Sequence, residues 1–555
     1  MTASPPPFLR IPPFPGGRPH IGAGSVAVAP GEAEMLAADI VRLRIGGAFW
    51  NPQPVLPPDR DLILAPTSRD MAVLMVKAAQ KAGLTARAVA LAPSAWFEQT
   101  NIPCFDPRAD PWHIVARAGS IWAGGNDDLA LIAALSGRDL RVFGDGRFAA
   151  LGEADRATIV ACLVDVLTQA PLTNPFTGAP WDLAAAIAQL GDWRALIELN
   201  RTPKAIYGIA RWKRVTMDAL LWDGSTRVRY AGSRMARRPD AEDDILVWTS
   251  RVPETVIADL TRRGVHIGEI EDGMIRSQGL GANCVPPLSV IVDTVGVHFD
   301  PTRPSTLERI LADTDFSPAM LTRAAALRRR LVAAGLSKYG ASPPVTPEAF
   351  SAEPVKRRKV LVPGQVEDDR SVLTGGGGMT NLALLARARA LEPDAFITYR
   401  PHPDVEAGHR KGRLAEADVL ALADVIERGG AVTTAIEAAD TLHVITSLAG
   451  FEALMRGKRV VTHGVPFYAG WGLTEDHGPV PKRRGRSRSI DELVAAVLIL
   501  YPRYIDPVTR LPCPVEVLVG RLANGEAHIS SPLIKLRTWQ GALTRFAERF
   551  GTNPK

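Results

Sequence analysis

Four short stretches of the sequence gather residue types that can do chemistry. The first is Glu269-Ile-Glu271-Asp272-Gly273, which runs directly into Met274-Ile-Arg276-Ser277 and two further glycines. Three carboxylates so close to an apolar run are costly to place unless they are paired or used. One of them, Asp272 or Glu271, can act as nucleophile or base, and Arg276 with Ser277 can hold an anionic substrate group through the planar guanidinium fork. A surface turn with a structural Arg–Asp pair gives the same pattern. The second stretch places Gln365 and Glu367 after the run VLVP and follows them with Gly375–Gly378 and Asn381. A strand, a polar loop and glycines opening onto a helix make a phosphate cradle, with backbone N–H groups at Gly376 and Gly377 free to approach closely. It is neither a P-loop nor the GxGxxG fingerprint, and a plain flexible loop accounts for it equally well.

The third stretch is Arg400-Pro401-His402-Pro403. Prolines fix the backbone on both sides and hold the histidine at a loop tip, within reach of a phosphate or simply in a structural role. The fourth is Thr446-Ser447-Leu-Ala-Gly450-Phe-Glu452. Its hydroxyls can cap a helix, alone or together with a bound phosphate, and Glu452 falls about one and a half turns into that helix, placed to meet a ribose.

The elements that must position these residues are short apolar runs alternating with helical patterns. DLILAP at 61–66, ILVWT at 245–249, VHIGEI at 265–270, VLVP at 360–363, AFITY at 395–399 and TLHVI at 441–445 read as strands. The runs 71–82 and 381–390 read as helices. Strands alternating with helices imply βαβ units and parallel sheets, whose ligands bind beyond the carboxyl ends of the strands.

Composition narrows the class. The chain has 555 residues, 46% hydrophobic and 22% charged, which is ordinary for a globular protein and suggests roughly three to four domain-sized units. A net charge of +6 is a mild bias towards anionic partners and not the signature of nucleic-acid binding. Four dispersed cysteines, Cys104, Cys162, Cys284 and Cys513, have no zinc-ligand spacing and imply a reducing compartment. No run is long enough to span a bilayer, and the proline-rich start lacks the layout of a secretory signal. The expectation is a soluble cytoplasmic protein whose N-terminal segment is a mobile tail. Peripheral contact with an anionic inner membrane would come from Lys482-Arg483-Arg484-Gly-Arg486-Ser-Arg488, or from an amphipathic pattern at 533–550. A solvated loop and a helix packed on the body are the competing readings.

A worn internal repeat is also visible. Residues 440–464 (DTLHVITSLAGFEALMRGKRVVTHG) match 120–144 (SIWAGGNDDLALIAALSGRDLRVFG), and 489–522 match 157–190 with Pro507 against Pro175 and Pro512 against Pro180. Where the second copy has His402, Ser447 and Glu452, the first has Ala92, Asp127 and Ile132. The first copy keeps the fold-forming pattern and loses the polar loop residues.

The blocks EDGMIRSQGLGANCVPPLSVIVDTVGVHFDPTRPS, GQVEDDRSVLTGGGGMTN, RPHPDVEAG, TSLAGFEALMRGK and PFYAGWGLTEDH occur in one order within about residues 200–510. Together they resemble the KpsC/LipB family of bacterial capsule β-Kdo transferases. The resemblance implies a GT-B glycosyltransferase that uses CMP-Kdo as donor substrate and retains the anomeric configuration. The family's Gln-x-Glu motif falls on Gln365 and Glu367, its His-Pro motif on His402-Pro403, and its acidic catalytic residue on Asp272. Met274 stands where the family usually has an aromatic. The acceptor expected is a lipid or lipid-linked Kdo. No metal or other cofactor is expected, because positive groups and backbone amides can stabilise a departing phosphate. The D-x-D strings at Asp59–Asp61 and Asp313–Asp315 lie outside the matched blocks. Transfer of another CMP-activated sugar acid, and a non-catalytic scaffold in a capsule assembly complex, are the alternatives. The fold class expected is α/β: a GT-B-like pair of Rossmann-like domains with an additional degenerate Rossmann-like domain at the N-terminus. Its boundaries are a proline-rich segment at 1–54, a degenerate half-module at 55–199, a GT-B N-terminal domain at 200–350, a donor domain at 351–510 and a helical segment at 511–555.

Overall fold

The computed structural model describes residues 7–22, 27–29, 31–169, 172–232, 239–277, 284–338, 340–341, 357–408 and 410–527. The helical pattern expected at 533–550 lies outside the described residues. Two compact units divide the chain. The first takes in the described residues of Met1–Thr202, Asp218–Val228 and Thr509–Leu511, and the second those of Pro203–Met217, Arg229–Val508 and Pro512–Lys555.

In the first unit, β1 (Leu62–Ala65), β2 (Ala88–Leu91), β3 (Cys104–Phe105), β4 (Ser120–Gly124) and β5 (Asp139–Phe143) form a parallel sheet in the order β3-β2-β1-β4-β5. All four residues of β1 are buried. An apolar run without alternation needs cover on both faces, which is why it sits at the centre of a helix-covered sheet. Leu62, Leu64, Met75, Ala79, Ala90 and Trp122 pack together on one side. Residues 7–22 of the N-terminal segment are not the mobile tail expected from its prolines. Phe8 is fully buried, and a Cβ on Gly46 (φ +96°) would lie 2.3 Å from its ring, so only glycine fits there. Phe14 lies edge-on to Trp193 and Trp222, and Arg10 pairs with Asp128 at 2.5 Å. Two buried aromatic rings outweigh the reluctance of a proline-rich segment to order.

The second unit holds two six-stranded sheets and a short hairpin, β10 (Leu336–Ser337) with β11 (Gly340–Ala341). One sheet contains β6 (Ala205–Tyr207), β7 (Asp244–Val247), β8 (His266–Asp272) and β9 (Ser289–Asp293), extended by β18 (Arg503–Ile505) and β19 (Pro512–Cys513), in the order β19-β18-β9-β8-β7-β6. Here the expectation of parallel strands holds only for β6, β7 and β8; β9, β18 and β19 pair antiparallel. A parallel neighbour to β8 would need a helical crossover. The return to β9 instead begins at Gly273, where a Cβ would sit 2.1 Å from Ser289 Oγ. The other sheet contains β12 (Lys359–Pro363), β13 (Phe396–Arg400), β14 (Val425–Ile426), β15 (Thr441–Val444), β16 (Arg459–Thr462) and β17 (Glu475–Asp476), all parallel, in the order β14-β13-β12-β15-β16-β17. Its five strands β12–β16 repeat the order of β1–β5.

The repeat seen in sequence reaches local geometry. Asp127 caps the helix Asp128–Leu135 by accepting from Leu129 N, and Ser447 caps the helix Leu448–Met455 by accepting from Ala449 N. The isolated antiparallel bridge Thr173↔Pro180 falls where the sequence match places the pair Ile505↔Pro512 of β18 and β19. Loss of Ser447's counterpart therefore left a working helix cap, since aspartate serves that position as well as serine.

The basic run at 482–488 is partly built into the fold, with Lys482, Arg483 and Arg486 exposed. Arg484 and Arg488 are buried. Arg483 and Arg484 both grip Glu308, at 2.7 and 2.6 Å; Arg486 meets Asp315, and Arg488 donates to the carbonyls of Leu311 and Thr314. These arginines fasten the loop to the helix Thr306–Asp313.

Candidate active site

The acidic cluster lies inside β8 and not in a loop after it. Successive strand residues point to opposite faces, and the structure divides the carboxylates accordingly. Glu269 and Glu271 share one arginine: Arg370 donates to Glu271 Oε1 at 2.8 Å and to Glu269 Oε2 at 2.9 Å. Glu269 also takes the Thr249 hydroxyl at 2.7 Å and pairs with Arg303. Burial pushes the Glu271 carboxyl up to about 7 despite Arg370, with Asp272 and Glu269 adding repulsion. Asp272, the last residue of β8, is held differently. Arg276 Nε donates to its Oδ2 at 2.8 Å, while its Oδ1 is buried without a hydrogen-bond partner. Arg276 is spent on structure, with its other nitrogens on Ser277 Oγ at 2.8 Å and Val285 O at 3.1 Å. Both Arg276 and Ser277 are buried, so they orient Asp272 and do not reach into solvent.

The remaining residues collect at the carboxyl edge of the second parallel sheet, where ligands of such sheets bind. Gln365, just past β12, is a positioning residue. Its Oε1 accepts from the backbone N–H groups of Ile445, Thr446 and Ser447 at 3.0, 2.9 and 3.2 Å, and its Nε2 donates to Thr446 Oγ1 at 3.1 Å. Asn381 closes the loop from the other side, exchanging bonds of 2.8 Å with the Gln365 backbone, and its own N–H donates to Glu367 Oε1 at 2.7 Å. Gln365, Glu367 and Asn381 thus build the site's walls. Arg400 is likewise committed, to Glu427 and to the carbonyls of Gly429 and Gly430.

Three groups keep free chemistry. His402 caps the helix Pro403–Glu406 by accepting from Asp404 N at Nδ1, 3.2 Å away. That bond leaves the proton on Nε2, and burial lowers the imidazole's pKa, so a neutral N–H donor is presented. Ser447 caps the helix Leu448–Met455, whose N-terminal dipole favours an anion. The buried Tyr468 donates to Ser447 O at 2.5 Å, and Gly450 is obligatory because a Cβ there would lie 2.1 Å from the tyrosine oxygen. A Cβ added to Gly377 (φ +58°) would meet open space, whereas one added to Gly376 would lie 2.4 Å from Val372 O. Beside this loop a 490 Å³ cavity is lined by Gly375–Gly377, Arg387, His463 and His477, among others. Glu452 is buried, its carboxyl pushed up to about 7 by desolvation, and it accepts from Lys338 N at 3.3 Å; Lys338 O in turn accepts from Arg276 N at 2.9 Å. Glu452 therefore couples the two sheets of the unit through Lys338.

Sequence reasoning missed Lys213, Arg370 and Tyr468. Lys213 lies 3.9 Å from Asp272 Oδ1 and its ammonium sits 3.0 Å from the centre of the Trp248 ring; burial lowers its pKa to about 8, opposed by Asp272. No motif marks it. Among the described residues no group of three or more His, Cys, Asp or Glu side chains is arranged to hold a metal ion, and no helix is long and apolar enough to cross a membrane.

The family model described as "Capsule polysaccharide biosynthesis protein" matches residues 243–340 and 344–504. The capsule polysaccharide modification protein LipA of Neisseria meningitidis serogroup A is 36% identical over 398 residues, covering 68% of this chain and 56% of LipA. The lipopolysaccharide-processing protein LpsZ of Rhizobium meliloti is 43% identical over 246 residues, covering 44% of this chain and 55% of LpsZ. The chain spans about half the length of these relatives. Among solved structures, a Thermosulfurimonas dismutans KpsC described as a beta Kdo 2,7 transferase is 32% identical, with TM-score 0.46, covering 58% of this chain and 99% of that one. The matched residues contain the acidic strand, the Gln365 loop, the histidine loop and the Ser447 helix, and with them this chain belongs to the capsule polysaccharide biosynthesis family, of the KpsC/LipB type that its motifs resemble.

Proposed function

We propose that the protein is a glycosyltransferase of capsule biosynthesis that moves Kdo from CMP-Kdo to a lipid-linked, Kdo-terminated acceptor with retention of configuration. The observation that carries this reading is the state of Asp272, with one oxygen fixed by Arg276 and the other without a partner. A carboxylate held through one oxygen, with the other left free, is what a double displacement requires. The free Oδ1 attacks the anomeric carbon as the bond to the CMP phosphate breaks and CMP leaves. The acceptor hydroxyl oxygen then attacks the same carbon, its proton passing to water or to the departed phosphate as the bond to Asp272 breaks and the carboxylate is regenerated. Neutral His402 and the capped N-terminus at Ser447 support a site for the departing phosphate, which backbone amides stabilise without a metal in this proposal. Glu271, tied to Arg370 on the other face of β8, supports the geometry of the strand more than it supports direct attack.

The test is incubation with CMP-Kdo and a panel of synthetic Kdo-terminated lipids, followed by mass and linkage analysis. Asp272→Asn is expected to abolish transfer while CMP still binds. Near-normal turnover by that variant would remove Asp272 as nucleophile, and no product with any acceptor would favour a scaffold role.

A further inference from the structure

Lys213 ends the short turn Arg211–Lys213 and is 4% exposed. Its ammonium lies against the faces of Trp248, at 3.0 Å, and Trp212, at 5.4 Å. The aromatic faces attract the charge but satisfy none of its three N–H groups. Its sole carboxylate contact among the described residues is Asp272 Oδ1 at 3.9 Å, beyond hydrogen-bond distance, and its Nζ donates no hydrogen bond there. A lysine retained only to neutralise Asp272 would close that gap to about 2.8 Å. A buried acceptor without a partner, Asp272 Oδ1, thus stands beside an ammonium that donates no hydrogen bond to it. Buried charges in that condition are costly unless something completes them.

We propose that Lys213 binds the carboxylate of the transferred sugar acid. The inference rests on the reading of Asp272 as nucleophile and of the donor as a CMP-linked sugar acid. In such a donor the carboxylate is attached to the reacting carbon, so Asp272 Oδ1 cannot approach that carbon without drawing two anions together. A cation within reach of both offsets the repulsion and selects sugars that carry the acid. Arg276 cannot serve, because Asp272, Ser277 and Val285 O already take its nitrogens. Arg370 is occupied by Glu269 and Glu271 on the opposite face. Among the described residues, Lys213 is the cation other than Arg276 that lies within 4 Å of the Asp272 carboxylate.

The experiment uses the full chain with Asp272→Asn, which holds the donor unreacted, and measures affinities for CMP-Kdo and for CMP by calorimetry. Adding Lys213→Met is expected to weaken CMP-Kdo binding about 10- to 100-fold, the range of one charge-assisted bond, and to leave CMP affinity unchanged. Lys213→Arg should recover most of the loss. Lys213→Gln, polar and uncharged, repeats the comparison with less change in packing. Equal CMP-Kdo affinity with and without the lysine, in either uncharged variant, overturns the proposal and leaves the donor assignment standing. It is also the result expected if Lys213 acts only through the charge of Asp272. If the Asp272→Asn protein binds CMP-Kdo no more tightly than CMP, the donor reading fails and the role of Lys213 fails with it.

Discussion

Replacing Gln365 by alanine isolates the group on which the backbone at Ile445–Ser447 is hung. The Gln365 Oε1 receives three backbone N–H groups, from Ile445, Thr446 and Ser447, at 2.9 to 3.2 Å, and the side chain is buried. Its loss removes those three bonds and the one to Thr446 Oγ1. At a net value of about 1 kcal/mol per bond, the local cost is about 3–4 kcal/mol, less whatever an entering water restores. A loop destabilised by about 3 kcal/mol should exchange its amides roughly 100-fold faster. Hydrogen exchange followed by mass spectrometry on a peptide spanning 443–449 reads this directly, with β4 and β5 of the first unit as an internal control. Gln365→Glu provides the contrast. Its carboxylate can accept the same three N–H groups and keep them protected, yet its charge beside Ser447 should weaken CMP binding. Unchanged exchange at 445–447 in Gln365→Ala would refute the positioning role.

Two further outcomes follow from the same site. Gly450→Ala places a methyl 2.1 Å from the Tyr468 oxygen, so overpacking plus the broken Ser447 contact should cost about 2–4 kcal/mol; a melting curve indistinguishable from the parent's would contradict it. Glu452, an acid raised from 4.5 to about 7 by burial, holds its proton in the folded state over a range in which the unfolded chain has lost it. Stability should therefore fall as pH rises from about 4.5 to 7, by roughly 3 kcal/mol at most, and Glu452→Gln should remove that slope and be the more stable form at pH 8. Parallel stability profiles for the two proteins across this range would exclude the assignment.

Much of this architecture was legible in the residues themselves. The unalternating runs at 61–66, 360–363 and 441–445 became central strands, and the internal repeat reappears as two sheets that share one strand order. What escaped was settled by distant partners. Phe8 reads as part of a proline-rich tail until Gly46 is seen to leave room for its ring. A string of arginines reads as surface charge because the buried Glu308 that two of them grip lies far away in the chain. Gln365 reads as a substrate ligand, and only the return of the chain at Ile445–Ser447 shows whose hydrogen bonds it accepts. Lys213 carries no signal, since its meaning comes from Asp272 and Trp248, which the fold supplies.

The pairing of β18 with β9, through Arg503↔Val290 and Tyr504↔Ser289, has a consequence for how the protein is made. The strand that flanks the Asp272 sheet is synthesised only after the whole of the β12–β17 sheet. Until it arrives, β9 is an open edge, a template for pairing with other chains. Closing that edge spans more than 200 residues of chain, a non-local contact of the kind that slows folding. The Tyr501 hydroxyl, bonded to Asp293 Oδ2 at 2.7 Å, locks the same seam. A fragment cut between the two sheets would leave its half with that edge bare, so the sheet bearing Asp272 is completed last and the two halves mature together.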